Sequence, residues 1–144
     1  LVPPGHELLE GGLVTLERIA RHPIVTYDEG YTGRAHIDEA FQRAGLKPDI
    51  VLTAMDADVI KTYVELGLGL GIVASIAYDE ERDQHLRALD ARHLFAMNMT
   101  KLAIRRGSFL RGYAFAFIES FAPTLTRAVV EQAMAAEPGT SFEI

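Results

Sequence analysis

The amino-acid sequence predicts an α/β fold with mostly parallel strands. Three observations carry this expectation. A strand pattern, a loop and a helix pattern follow one another twice between residues 24 and 65. Leu70-Gly71-Ile72-Val73-Ala74 is a near-continuous apolar run, the pattern of a strand covered on both faces. An apolar content of 49% over 144 residues is enough to fill a core. Strand and helix patterns that alternate in this way imply helices layered on a parallel sheet.

The opening Leu1-Val2-Pro3-Pro4-Gly5 reads as the end of a strand running into a turn. Leu1 is not an initiator Met, so the chain is expected to start inside a longer protein. Thr15 can cap a short helix through Arg21 with Leu16 and Ile19 as its apolar positions, and Pro23 ends it by disfavouring helical backbone before it. Ile24-Val25-Thr26-Tyr27 is β-rich. Residues 28–33 form a loop, and the next helix carries Ile37, Ala40 and Phe41 at helical spacing before Gly45 stops it.

The pattern then repeats. Asp49 to Thr53 reads as a strand, and Asp56 can cap a helix bearing Val59, Ile60, Tyr63 and Val64, which Gly67 and Gly69 end. After the apolar run 70–74, Ser75 can cap a further helix, and the charged stretch Asp79 to Asp83 reads as a solvated face or turn. Thr100 to Arg106 alternates like a strand, and Ser108 begins a helix with Phe109, Leu110, Tyr113, Phe117, Ile118 and Phe121, closed by Pro123. Thr124 or Thr126 caps a last helix with Leu125, Val129, Val130, Ala133 and Met134, before a polar tail. One strand in residues 98–144 is too few for a sheet, so this stretch reads as part of a domain whose remainder lies upstream.

Charge and composition exclude several functions. A net charge of −6 disfavours a direct grip on nucleic acid, which needs clustered Lys and Arg. The absence of cysteine removes disulfide and thiolate chemistry. No apolar run reaches the length of a membrane span, and no export signal is visible at the amino terminus, which points to a cytoplasmic protein. The five histidines are scattered without partners at metal-binding spacing, so no metal is expected. Nothing assembles a nucleophile, a base and an oxyanion hole, so neither catalysis nor a cofactor is expected. Leu66-Gly67-Leu68-Gly69-Leu70-Gly71 has the glycines of a nucleotide loop but follows a helix and leads into a strand, the reverse of the dinucleotide fingerprint. Those glycines read as a helix stop and a close approach of helix to sheet.

The stretch Gly30-Tyr31-Thr32-Gly33-Arg34 is the best site candidate. It follows a strand and opens a helix, where backbone N–H groups and the positive end of the helix dipole favour an anion. Thr32 adds a hydroxyl and Arg34 a charge. An ordinary loop with Thr32 as helix cap fits the same residues.

Several longer motifs resemble the effector domains of LysR-type transcription regulators, in particular their CysB and Cbl subgroup. They are Thr32-Gly33-Arg34, Ala40 to Leu46, Thr53 to Val64, Leu66 to Gly69, Thr100-Lys101 with Arg105-Arg106, Ser108 to Arg111 and Phe121-Ala122-Pro123. The resemblance covers about residues 1–134. It implies a periplasmic-binding-protein-like (type 2) effector domain, with residues 1–97 forming subdomain II and residues 98–144 the C-terminal part of subdomain I. It further implies a ligand-sensing domain that controls sulfur assimilation and cysteine biosynthesis. Sulfate, O-acetylserine or N-acetylserine would bind between the subdomains, with Thr32 matching a family threonine and the Gly33 and Arg34 N–H groups beside it. DNA would be bound only through a winged helix-turn-helix outside this sequence, and the assembly would be a homo-oligomer. The pair Asp28-Glu29 departs from the apolar or neutral residues of the subgroup and places negative charge near the expected anion. A periplasmic-type anion or amino-acid carrier would share the same architecture, and an oligomerisation module is a third reading.

Overall fold

In a computed structural model of the chain, the described residues are 1–97, 101–105 and 107–136. The chain divides into two compact units, Leu1–Met99 and Thr100–Ile144.

The first unit is built on a three-stranded parallel sheet in the order β2-β1-β3. Its elements run α1 (Leu16–Ile19), β1 (Pro23–Tyr27), α2 (Thr32–Arg43), β2 (Asp49–Ala54), α3 (Ala57–Glu65) and β3 (Leu70–Gly71). β1 is central, and its middle residues are buried on both sides. Ile24, Val25 and Thr26 are each fully buried. Ile24 faces a cluster with Val2, Leu8, Val14, Ile19, Ile37, Phe41 and Leu70. Val25 faces the opposite cluster of Ala54, Ile60, Val64 and Leu86. Alternate residues of one strand thus serve two cores, with α2 covering the first and α3 the second. The β1–β2 register slips between Ile24 and Val25, where Val51 is the extra residue.

The helices start and stop as their sequences dictate. Thr15 accepts from the Arg18 N–H and Asp56 from the Val59 N–H, so both cap their helices. α1 is shorter than the pattern suggested and ends at Ile19. At the end of α3, the Gly67 N–H reaches the Val64 carbonyl and the Leu68 N–H the Tyr63 carbonyl, a turn that needs the left-handed backbone Gly67 adopts (φ +79°). Gly69 has a different task. A methyl group there would lie 2.8 Å from the Pro23 carbonyl carbon and closer still to its oxygen, so its absence lets the approach to β3 pass against the start of β1.

The apolar run 70–74 is a strand only at Leu70–Gly71, although Ile72 donates its N–H to the Val25 carbonyl and accepts from the Thr26 hydroxyl. Ser75 does not cap a long helix. A single 3-10 turn spans Ser75–Ala77 with Ala74 at its cap. The charged stretch that follows is a turn, yet Asp83 within it is buried.

The second unit holds α4 (Gly112–Phe121) and α5 (Arg127–Ala135), packed through Phe115, Ile118 and Val130 with Ile104, Leu110, Leu125 and Met134 around them. The expected strand 100–106 is absent over residues 101–105, while Thr100 and Arg106 lie outside the described residues. Alternation alone does not make a strand without a neighbour to pair with, and Ile104 packs against the helices instead. The helix expected from Ser108 begins at Gly112, leaving Phe109 89% exposed. The polar tail lies outside the described residues.

Candidate functional site

A parallel sheet offers a ligand site where neighbouring strands are followed by connections to opposite sides. Here that point lies between the carboxyl ends of β1 and β3, since the chain leaves β1 toward β2 on one side and reaches β3 on the other. Two segments emerge there: the loop into α2, and the turn Ala74–Ala77 after β3.

Thr32, Gly33 and Arg34 are the first three residues of α2. The cap position is Tyr31, whose side chain makes no capping hydrogen bond, so Thr32 is not the cap and its exposed hydroxyl is not used in that way. The first acceptor used in the helix is the Tyr31 carbonyl, which receives the Ala35 N–H. Among the described residues no acceptor meets the N–H groups of Thr32, Gly33 and Arg34. A helix start with three available donors and the positive end of its dipole suits an oxyanion.

Arg34 behaves differently from the free charge that its position suggested. Its side chain is buried and turns back on the protein, donating from Nε to Asp38 at 2.8 Å and from a terminal nitrogen to the Tyr27 carbonyl at 3.1 Å. Glu29 stands 3.8 Å from the other terminal nitrogen. The guanidinium is paired and fastens the end of β1 to the first turn of α2, which leaves the backbone N–H as the donor Arg34 has available. The Arg34–Asp38 spacing of four was visible in the sequence and was the available clue to this pairing.

At the same end of the sheet, the Tyr27 hydroxyl accepts from the Ala74 N–H at 3.2 Å, and the Tyr27 ring stacks on Tyr31 with centroids 6.4 Å apart. Tyr27 therefore touches both segments. Beyond Ala74, Ser75 and Ile76 are exposed. Lys61 of α3 donates to the Ala77 carbonyl at 3.1 Å and to Asp83 at 3.2 Å, with Asp58 2.9 Å from the ammonium. Asp83 also accepts from the Asp79 N–H at 2.9 Å. That N–H and then the Lys61 ammonium hold the Asp83 carboxyl below its ordinary range, and the hydrogen bond to Asp58, with Asp83 behind it, raises the Lys61 ammonium above its own. Tyr27, Lys61 and Asp83 were not legible as site neighbours, because only the fold brings residues so far apart together.

Two surface depressions lie away from this point. One of about 110 Å³ is lined by Glu7, Leu8, Arg18, Arg21 and His22. A more apolar groove of about 340 Å³ runs in the second unit between Phe109, Phe115, Arg127 and Met134. Among the described residues no group of three or more His, Asp or Glu side chains could hold a metal ion, and no helix is long and apolar enough to cross a membrane.

The architecture is shared with solved structures. The cofactor-binding domain of the Cbl transcriptional regulator superposes with a TM-score of 0.80 at 44% identity, covering 94% of this chain and 60% of that one. HinK, a LysR family regulator from Pseudomonas aeruginosa, shares the fold alone, at 17% identity and a TM-score of 0.56 over 88% of this chain and 44% of its own. This is the periplasmic-binding-protein-like (type 2) fold of a regulatory ligand-binding domain. Residues 1–126 match the family described as the LysR substrate binding domain, and the chain belongs to that family. Similar curated proteins are the HTH-type transcriptional regulators SsuR and CysB of Burkholderia cenocepacia. They are 57% identical over 90% of this chain and 42% of SsuR, and 50% identical over 100% of this chain and 46% of CysB. The regulator cbl of Klebsiella aerogenes is 54% identical over 83% of the chain and 38% of its own length. The chain spans less than half the length of these relatives, which are transcriptional regulators and not enzymes.

Proposed function

We propose that this chain is the ligand-sensing part of a LysR-type regulator of sulfur assimilation and cysteine biosynthesis. It takes a small anion, sulfate or the carboxylate of O-acetylserine or N-acetylserine, at the start of α2. The observation that carries this reading is the set of three N–H groups at Thr32, Gly33 and Arg34, beside the exposed Thr32 hydroxyl, at the point where the sheet reverses its winding. Likeness to regulators named CysB, Cbl and SsuR supports the biological setting.

In this reading residues 1–97 are subdomain II and residues 98–144 the C-terminal part of subdomain I. Anion binding favours one arrangement of the two subdomains, and by that differential affinity it shifts the geometry of a cytoplasmic homo-oligomer on DNA. DNA contact belongs to the helix-turn-helix part that the relatives' names imply, outside these 144 residues.

Calorimetric titration with sulfate, O-acetylserine and N-acetylserine tests the site. Thr32→Ala should lower affinity about 10- to 100-fold, the loss of one hydrogen bond to a charged group. Saturable binding that is unchanged in Thr32→Ala refutes the site, and absence of binding in both this chain and the whole regulator refutes the ligand class.

A further inference from the structure

The segment from Ala74 to Asp83 follows β3 as a strap, and side chains from two other elements hold it down. At its start the Tyr27 hydroxyl of β1 receives the Ala74 N–H. In its middle Lys61 of α3 donates to the Ala77 carbonyl. At its end Asp83 takes the same Lys61 ammonium and closes back on the Asp79 N–H. The clasp is sheltered, with 14% of the Lys61 side chain and 9% of the Asp83 side chain exposed, whereas Ile76 between the fastenings is 94% exposed. The interior of the strap is therefore fixed while its outer edge is bare.

This arrangement asks more of Lys61 than a surface lysine supplies. A surface ion pair with Asp58 alone would contribute little. The ammonium instead holds a carbonyl and a buried carboxylate of one strap, and so decides where residues 74–77 stand relative to the Tyr27 ring and the start of α2. We propose that Lys61 is a positioning residue of the ligand site: through the Ala77 carbonyl and Asp83 it fixes the strap that Tyr27 joins to the loop before α2, and so the surroundings of Thr32. The inference rests on the functional reading above, since it concerns the same site. Lys61 itself touches no ligand.

The test uses Lys61→Met, which keeps the length of the side chain and removes its charge and donors, and Asp83→Asn, which breaks the clasp from the other side. Lys61→Arg is the conservative rescue. Two quantities are read in this 144-residue chain: hydrogen exchange of residues 74–83, and calorimetric affinity for sulfate. In Lys61→Met and Asp83→Asn, exchange in the strap should accelerate while α2 and β1 stay protected. Sulfate affinity should fall about tenfold, comparable to the loss of one hydrogen-bonded contact. Lys61→Arg should recover most of both. Sulfate binding that Thr32→Ala weakens but Lys61→Met and Asp83→Asn leave unchanged overturns this inference alone. Strap exchange that stays slow in both clasp variants overturns it as well. Where only the whole regulator binds, the same variants are read there, and absence of binding of sulfate, O-acetylserine and N-acetylserine in both this chain and the whole regulator overturns it together with the functional reading.

Discussion

Gly67 and Gly69 stand two residues apart and should fail on substitution for different reasons. Gly69→Ala adds a methyl group 2.8 Å from the Pro23 carbonyl carbon, against an optimal carbon–carbon separation of about 3.5–4.0 Å. Relief requires the chain entering β3 to withdraw from β1 by about 1 Å. That withdrawal acts directly beside the pairing of Ile24 with Leu70, where both side chains lie in the core. The obstacle is backbone and cannot rotate away, so the cost falls at or above the upper end of ordinary overpacking, about 3 kcal/mol. Gly67→Ala meets no atom within 4 Å but must hold a left-handed backbone (φ +79°), which costs about 1–2 kcal/mol. In urea unfolding, with a slope of about 2 kcal/mol/M, the midpoints should fall by about 1.5 M and 0.5–1 M respectively. Equal midpoints for the two variants, or a milder effect at Gly69, would refute the close-approach argument.

Two further outcomes are expected. Asp56→Ala removes the cap of α3, the acceptor 2.9 Å from the Val59 N–H, and should cost about 1 kcal/mol in urea unfolding without altering the slope. The Lys61–Asp83 clasp should show in the pH dependence of stability. The Asp83 carboxyl is depressed below its ordinary value of 3.8, so its contribution is complete above that value and is lost as pH falls through the lower folded value. The Lys61 ammonium is raised above 10.5, so its contribution is complete below that value and is lost as pH rises through the higher folded value. Thermal unfolding of the wild type relative to a Lys61→Met, Asp83→Asn double variant should therefore differ by a constant amount between these limits and converge outside them.

The elements that the sequence made legible are those whose information is local. α2 announces itself through Ile37, Ala40 and Phe41, all of them buried, and α3 through its Asp56 cap and the buried pair Ile60 and Val64. The start of α2 was legible for the same reason, because strand, loop and helix lie next to one another in the chain. Where a partner distant in sequence decides the outcome, pattern reading failed. Residues 101–105 alternate in polarity but have no strand beside them among the described residues, and Asp83 looked solvated until Lys61 was brought to it by the fold. Arg34 is the mixed case, since its partner Asp38 is one helical turn away but its burial against the Tyr27 carbonyl depends on the loop geometry. In α4 the apolar set read from the sequence included Tyr113, Phe117, Ile118 and Phe121; of these Ile118 is buried, together with Phe115 outside that set, while Tyr113, Phe117 and Phe121 are exposed.

The central place of β1 orders the assembly of the sheet in time. Its pairing with β2 closes a short loop through α2, whereas the link from Thr26 to Ile72 spans 46 residues and requires α3 to cross over first. Loop-closure entropy rises only slowly with length, so it is not the main obstacle. The expected obstacle is that β3 pairs only with β1, so it docks after β1 is in place. The βαβ half ending at Ala54 is accordingly the expected nucleus, and Leu70→Ala in β3 should speed unfolding while leaving the refolding rate nearly untouched.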